Sequence, residues 1–117
     1  MRLPHPSTAP GSVRIAIIDG HPIFRDALKS NFKTVAGFEI VAEGGGAADA
    51  ARVVRDLAPD VLLLDYPLRD RDAIETIKEI AARNTRVIVL TAAMPAAQMI
   101  AAIQSGARGV VFKHAPT

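Results

Sequence analysis

The stretch Ala58–Leu68, APDVLLLDYPL, decides how the rest of the chain is read. Its centre, Val61–Leu64, is apolar at every position. A strand that shows water one face would alternate, so an unbroken run of this length marks a central strand covered on both sides. Pro59 closes whatever helix precedes it, and Asp65 puts a carboxylate at the strand's carboxyl end.

Working outward, four further short runs are rich in β-branched residues: Val13–Ile18, Phe38–Ala42, Arg86–Leu90 and Gly109–Phe112. Glu39 interrupts the second, which suits an edge. Stretches of helical period lie between the runs. Ile23, Phe24, Ala27, Leu28 and Phe32 form one apolar stripe, and Ala50, Val54 and Leu57 a second. Ile74, Ile77, Ile80 and Ala81 form a third, and Met99, Ile100 and Ile103 a fourth that ends at Gly106. Strands alternating with helices predict an α/β fold: a doubly wound five-stranded parallel sheet with helices on both faces. A fifth helix is expected to cover the last part of the sheet, yet the sequence ends at Thr117, so an exposed apolar patch is expected there. Residues 1–12, with Pro4, Pro6, Pro10 and Gly11 and no hydrophobic period, read as a flexible tail, and 13–117 as one domain.

Composition removes several function classes. There is no cysteine, so disulfide scaffolds, thiolate zinc sites and cysteine nucleophiles are excluded. Fourteen Lys and Arg against twelve Asp and Glu leave a net charge of +2, too little for a nucleic-acid footprint. No run approaches a membrane span and the first residues lack a signal-peptide core, so the expected location is the cytoplasm, with no membrane partner.

In open parallel sheets ligands bind at the carboxyl ends of strands, where strand order reverses. Asp19, Asp65, Thr91 and Lys113 stand at four such ends. With the order 2-1-3-4-5 the strands bearing Asp19 and Asp65 are neighbours. A carboxylate can attack phosphorus to give an acyl phosphate. That step needs the phosphoryl charge neutralised, which Lys113, the Thr91 hydroxyl and an oxygen-ligated Mg²⁺ could supply.

Four stretches carry a family resemblance: IIDGHPIFRDAL (Ile17–Leu28), APDVLLLDYPL (Ala58–Leu68), RVIVLTA (Arg86–Ala92) and GARGVVFK (Gly106–Lys113). Together they resemble the receiver domain of two-component response regulators, most closely the NarL/FixJ subfamily, in which a LuxR-type helix-turn-helix follows. The resemblance implies a flavodoxin-like sheet and a phosphorelay signalling role rather than an enzyme. Asp65 would be the phosphoacceptor, Asp19 an acidic-pocket metal ligand, Thr91 the switch hydroxyl and Lys113 the phosphoryl-contacting lysine. The Pro67 carbonyl would face the metal. A histidine kinase would be the donor, a homodimer the expected assembly, and DNA would be reached only through an output domain outside this chain. The alternative is a degenerate receiver acting by protein–protein contact without phosphorylation. A mononucleotide-binding enzyme is disfavoured, because DGHP offers no phosphate loop.

The chain departs from the family pattern at three positions. Gly20 stands where a second acid usually ligates the metal, so Mg²⁺ binding is expected to be weak. Arg69 replaces a usual proline within the charged run RDRD, and Val110 replaces a usual aromatic. Three other features read as structural. Gly44–Gly45–Gly46 lacks the G-x-G-x-x-G spacing and reads as a flexible connection. His21 beside Pro22 reads as a turn-setting residue. His5 and His114 have no zinc-site spacing.

Overall fold

The computed structural model describes residues 11–68 and 70–113. Most of the expected tail, Arg69 and the last four residues lie outside that range. The elements run β1 (Val13–Ile18), α1 (Pro22–Lys33), β2 (Phe38–Gly44), α2 (Ala47–Leu57), β3 (Val61–Tyr66), α3 (Ala73–Ala81), β4 (Arg86–Thr91), α4 (Ala96–Gln104) and β5 (Ala107–Phe112). All strands are parallel, in the order β2-β1-β3-β4-β5. β3 is central and β2 an edge, as their sequences require. The expected flavodoxin-like α/β architecture is therefore the observed one.

The two faces of the sheet are unequally covered. On one, Ala16, Ile18, Leu62, Leu64, Val87 and Val89 pack against Val53 and Val54 of α2 and Ile77 and Ile80 of α3. On the other, a smaller cluster of Ile15, Ile17, Leu63 and Leu90 is covered by Phe24, Leu28 and Phe32 of α1, with Val13, Ile40, Val61 and Ile88 of the strands beside it. The α1 stripe is thus narrower than its periodicity suggests: Ile23 and Ala27 face solvent, Ile23 at 86% exposure. On α4 the inward residues are Ala102 and Met99, while Ile100 and Ile103 are exposed. Val111 pairs in register with Leu90 and is half exposed.

Local chemistry fixes the ends of the helices. Pro22 opens α1, its missing N–H being one that no helix bond would use. α2 ends at Ala58 in the left-handed conformation just before Pro59. Two acids of the charged run, Asp70 and Asp72, prove to cap helices. Asp72 accepts a hydrogen bond from the Ile74 amide at the start of α3. Asp70 reaches across to the start of α2 and accepts from the amides of Ala47 (3.0 Å) and Ala48 (3.4 Å).

The glycine run is not simply a flexible connection. Gly44 belongs to β2, and a Cβ there would stand 2.4 Å from the Cβ of Asp49. Asp49 in turn accepts from the Gly45 amide. The close approach of this loop to helix α2 demands glycine. Gly106 is constrained twice over, with φ of +121° and a would-be Cβ 2.6 Å from the Ala81 side chain.

Candidate functional site

The switch point between β1 and β3 brings two carboxylates together. Asp19 follows β1 directly, held by its amide to the Gly44 carbonyl at 2.9 Å. Asp65 is the penultimate residue of β3. Lys113 follows β5 and is tied by its amide to the Thr91 carbonyl at 2.8 Å. Its ammonium enters between the acids, 2.7 Å from Asp19 Oδ2 and 2.9 Å from Asp65 Oδ1. It also sits over the Phe24 ring, 4.4 Å from the centroid. Asp19 is fully buried and Asp65 nearly so. The contact with Asp19 Oδ2 is ionic rather than a directed hydrogen bond.

Each carboxylate gives one oxygen to Lys113 and turns the other toward His21. The His21 Nδ1 lies 3.0 Å from Asp19 Oδ1 and 3.7 Å from Asp65 Oδ2. His21 is the residue that sequence reasoning missed. It does stand at the start of α1, but its side chain does not cap the helix. Its amide donates instead to Asp19 Oδ1 at 2.8 Å, and that short turn swings the ring over the acids. A usable signal existed in the D-x-H spacing at a strand end.

Electrostatics favour the charged forms of Asp19 and Lys113. Burial alone would raise the pKa of the Asp19 carboxyl, but the Lys113 ammonium and the His21 amide and ring outweigh it, and the net shift is downward. Burial would likewise lower the pKa of Lys113, yet the two carboxylates beside it raise the value overall. Behind the site the Arg25 guanidinium donates to the Asp19 carbonyl at 2.6 Å and to Glu43 at 2.9 Å, and Lys29 also pairs with Glu43. Strand β2 is thereby fastened to α1.

Thr91 is adjacent but turned away. It is fully buried, and its hydroxyl lies 3.1 Å from the Tyr66 carbonyl and 2.8 Å from that of Ala93. Of the four expected residues, three converge and the fourth is committed to backbone. A cavity of about 270 Å³ opens over Asp65 and Lys113, lined also by Gly20, His21, Pro67 and Ala92, while Asp19 lies buried beneath it. Pro67, the expected source of a metal-facing carbonyl, is therefore at its wall.

A divalent cation fits this donor set. Asp19, His21 and Asp65 each present a ligand atom, and these atoms all lie within 4.8 Å of one another. The carboxylate oxygens turned toward His21, Asp19 Oδ1 and Asp65 Oδ2, are not the ones Lys113 contacts, so the lysine need not leave, although Asp19 Oδ1 already accepts from the His21 amide. Gly20 adds only open space, since a Cβ there would meet nothing closer than the Gly45 carbonyl at 3.7 Å.

Comparison with known proteins agrees with this geometry. The transcriptional regulatory protein YhcZ of Bacillus subtilis is 32% identical over 103 residues, covering 86% of this chain and 48% of that protein. The Bordetella pertussis virulence-factor transcription regulator BvgA is 31% identical, covering 86% and 49%. This chain thus spans about half the length of the curated relatives it matches. Among solved structures, the signal receiver domain of NarL from Mycobacterium tuberculosis superposes with a TM-score of 0.84 at 28% identity, covering 92% of this chain and 88% of that one. A LuxR-family two-component response regulator from Aurantimonas gives 0.82 at 29%, covering 89% and 76%. Residues 15–117 match the family described as the response regulator receiver domain, and the chain belongs to that family.

Proposed function

We propose that this receiver accepts a phosphoryl group on Asp65 from a histidine kinase and passes the change to a DNA-binding output segment. The observation that carries the reading is the shared ammonium. Lys113 holds one oxygen of Asp65 and leaves Oδ2 on the His21 side, with Asp65 itself in the cavity wall. Oδ2 attacks phosphorus, the bond from phosphorus to the donor breaks, and the donor leaves with the electron pair. An acyl phosphate remains on Asp65. Lys113 then faces the new phosphoryl charge, with Asp19 holding it in place.

Asp19, Asp65 and the Pro67 carbonyl would hold Mg²⁺, weakly, because Gly20 contributes no acid. The ion would supply charge neutralisation at the phosphoryl oxygens. The Thr91 hydroxyl, now on the carbonyls of Tyr66 and Ala93, would turn to a phosphoryl oxygen, and the β4–α4 region would move with it. The acceptor is used once per signal and is not a turnover enzyme.

The relatives named as transcription regulators, about twice this length, support an output segment beyond residues 13–117. A helix following β5 would cover the face that Val111 leaves exposed, and the phosphorylated domain would act as a homodimer. No helix among the described residues is long and apolar enough to cross a membrane, and we place the domain in the cytoplasm.

Mass measurement after incubation with acetyl phosphate and Mg²⁺ tests the assignment. One phosphoryl group should be gained by the parent and none by Asp65→Asn. Equal labelling of the two, or none in the parent, would overturn it and favour action by contact alone.

A further inference from the structure

We infer that His21 is a metal ligand, and that the pocket prefers a borderline divalent ion of the Co²⁺, Ni²⁺ or Zn²⁺ kind to Mg²⁺. The inference rests on the receiver reading of this pocket and changes the ion it takes. Three observations carry it. Gly20 removes an oxygen donor, leaving two carboxylate oxygens from side chains and none from the residue between Asp19 and His21. The nitrogen that takes up position nearby is His21 Nδ1, 3.0 Å from Asp19 Oδ1 and 3.7 Å from Asp65 Oδ2. Ligands bound at ~2.1 Å around one ion lie about 3.0 to 3.4 Å apart. The Asp19–His21 pair, now joined by a hydrogen bond that an ion would replace, has that spacing, the Asp65–His21 pair is a few tenths of an ångström wider, and all three atoms lie within 4.8 Å of one another. The placement is also fixed on its own element, because the His21 amide is bonded to the same carboxylate.

Chemistry then selects the ion. Mg²⁺ is hard, keeps its waters and gains little from an imidazole, whereas Co²⁺, Ni²⁺ and Zn²⁺ bind imidazole well. Charge points the same way. Lys113 already sits between Asp19 and Asp65 and offsets part of their charge, which leaves a weak attraction for an ion bound mainly by charge. An ion that gains from a nitrogen bond depends less on the missing acid. The His21 ring is 61% exposed, so it can meet an incoming ion without unpacking the core.

Calorimetric titration of the chain with Co²⁺ and with Mg²⁺ tests this, in the parent, in His21→Ala and in Asp65→Asn. Because Co²⁺ generally outcompetes Mg²⁺ at sites with nitrogen or oxygen donors, the decisive quantity is the dependence on His21. The expected result is a loss of Co²⁺ affinity of about tenfold or more in His21→Ala, with Mg²⁺ affinity changed by less than about twofold. Asp65→Asn should weaken Co²⁺ as well. Co²⁺ affinity within about twofold of the parent in His21→Ala would overturn the proposal, as would a loss in that variant with none in Asp65→Asn, which would place the ion outside the pocket. Superposable amide spectra of parent and variant check that the fold is intact, and Gly20→Asp gives a second reading by narrowing the Co²⁺ to Mg²⁺ ratio. Acetyl phosphate labelling in Mg²⁺ separates this idea from the phosphoacceptor assignment. Normal labelling with His21-independent Co²⁺ binding removes only the ligand proposal. His21-dependent binding without labelling removes only the phosphoacceptor reading.

Discussion

Asp19 and Asp65 are the same residue type at the ends of neighbouring strands, yet their surroundings differ. Asp19 is tethered on every side, with its amide on β2, one oxygen shared by the amide and ring of His21, and the other beside Lys113. Asp65 has Lys113 and a more distant His21 nitrogen, and among the described residues its carboxylate makes no hydrogen bond to its own loop. The acids of that loop, Asp70 and Asp72, are spent on the ends of α2 and α3 instead. A carboxylate held from several directions positions its neighbours, while one held from a single side keeps a lone pair for chemistry. Environment divides the roles.

The most forceful way to break this comparison is to remove the cation both acids share. Lys113→Met leaves two buried carboxylates facing each other, which should cost about 3 kcal/mol in urea unfolding at neutral pH. The gap from the parent should be widest at mid-range pH. Asp19 is held below its ordinary 3.8, so its share of stability is present above that value and is lost as pH falls through the depressed pKa. Lys113 is held above 10.5, so its share is present below that value and is lost as pH rises through the elevated pKa. A gap that stays constant across the whole range would show that the cluster contributes nothing through its charges.

Removing the acids one at a time sharpens the contrast. In each case Lys113 retains the other carboxylate. Asp19→Asn also weakens a charge-assisted bond from the His21 amide and should cost about 2 kcal/mol, whereas Asp65→Asn should cost about 1 kcal/mol or less. Equal unfolding midpoints would erase the distinction between a positioning and a reacting carboxylate.

Most of this contrast rests on features that a linear reading reaches, and part of it does not. The strand-end positions of Asp19, Asp65 and Lys113 follow from counting alternating runs, because parallel topology places every strand's carboxyl end on one side. The orientation of Thr91 does not follow, since a hydroxyl can turn to a nearby carbonyl without altering any pattern. The role of Asp70 is hidden because the amides it serves are more than twenty positions away in the chain. The exposure of Ile23 and Ala27 is hidden for a different reason: periodicity reports an apolar stripe, not how much of it the partner face is wide enough to cover.

Gly20→Asp adds a third acid between the tethered and the reactive one. The position has room, with the Gly45 carbonyl 3.7 Å from a would-be Cβ. A unit charge ~4 Å from a cation is worth about 4 kcal/mol at an effective dielectric near 20, before desolvation is subtracted. About tenfold tighter Mg²⁺ binding by calorimetry is therefore expected, equivalent to about 1.4 kcal/mol. Unchanged affinity would mean that the cation sits away from the β1–α1 loop and that Asp19 positions only Lys113.

The smallest effect concerns the loop that carries the reactive carboxylate. Asp70 fastens the β3–α3 loop to α2 by accepting from Ala47 and Ala48, and those amides hold its pKa below the ordinary value. Asp70→Ala removes the cap and should cost about 1 kcal/mol, seen as a lower thermal midpoint. Hydrogen exchange should quicken at the start of α2 while the amides of β1 stay protected, because Asp19 is anchored independently through Gly44. Faster exchange around Asp19 as well would show that the two carboxylate loops are mechanically one unit. The separation of tethered from reactive acid would then depend on the cap as much as on local bonding.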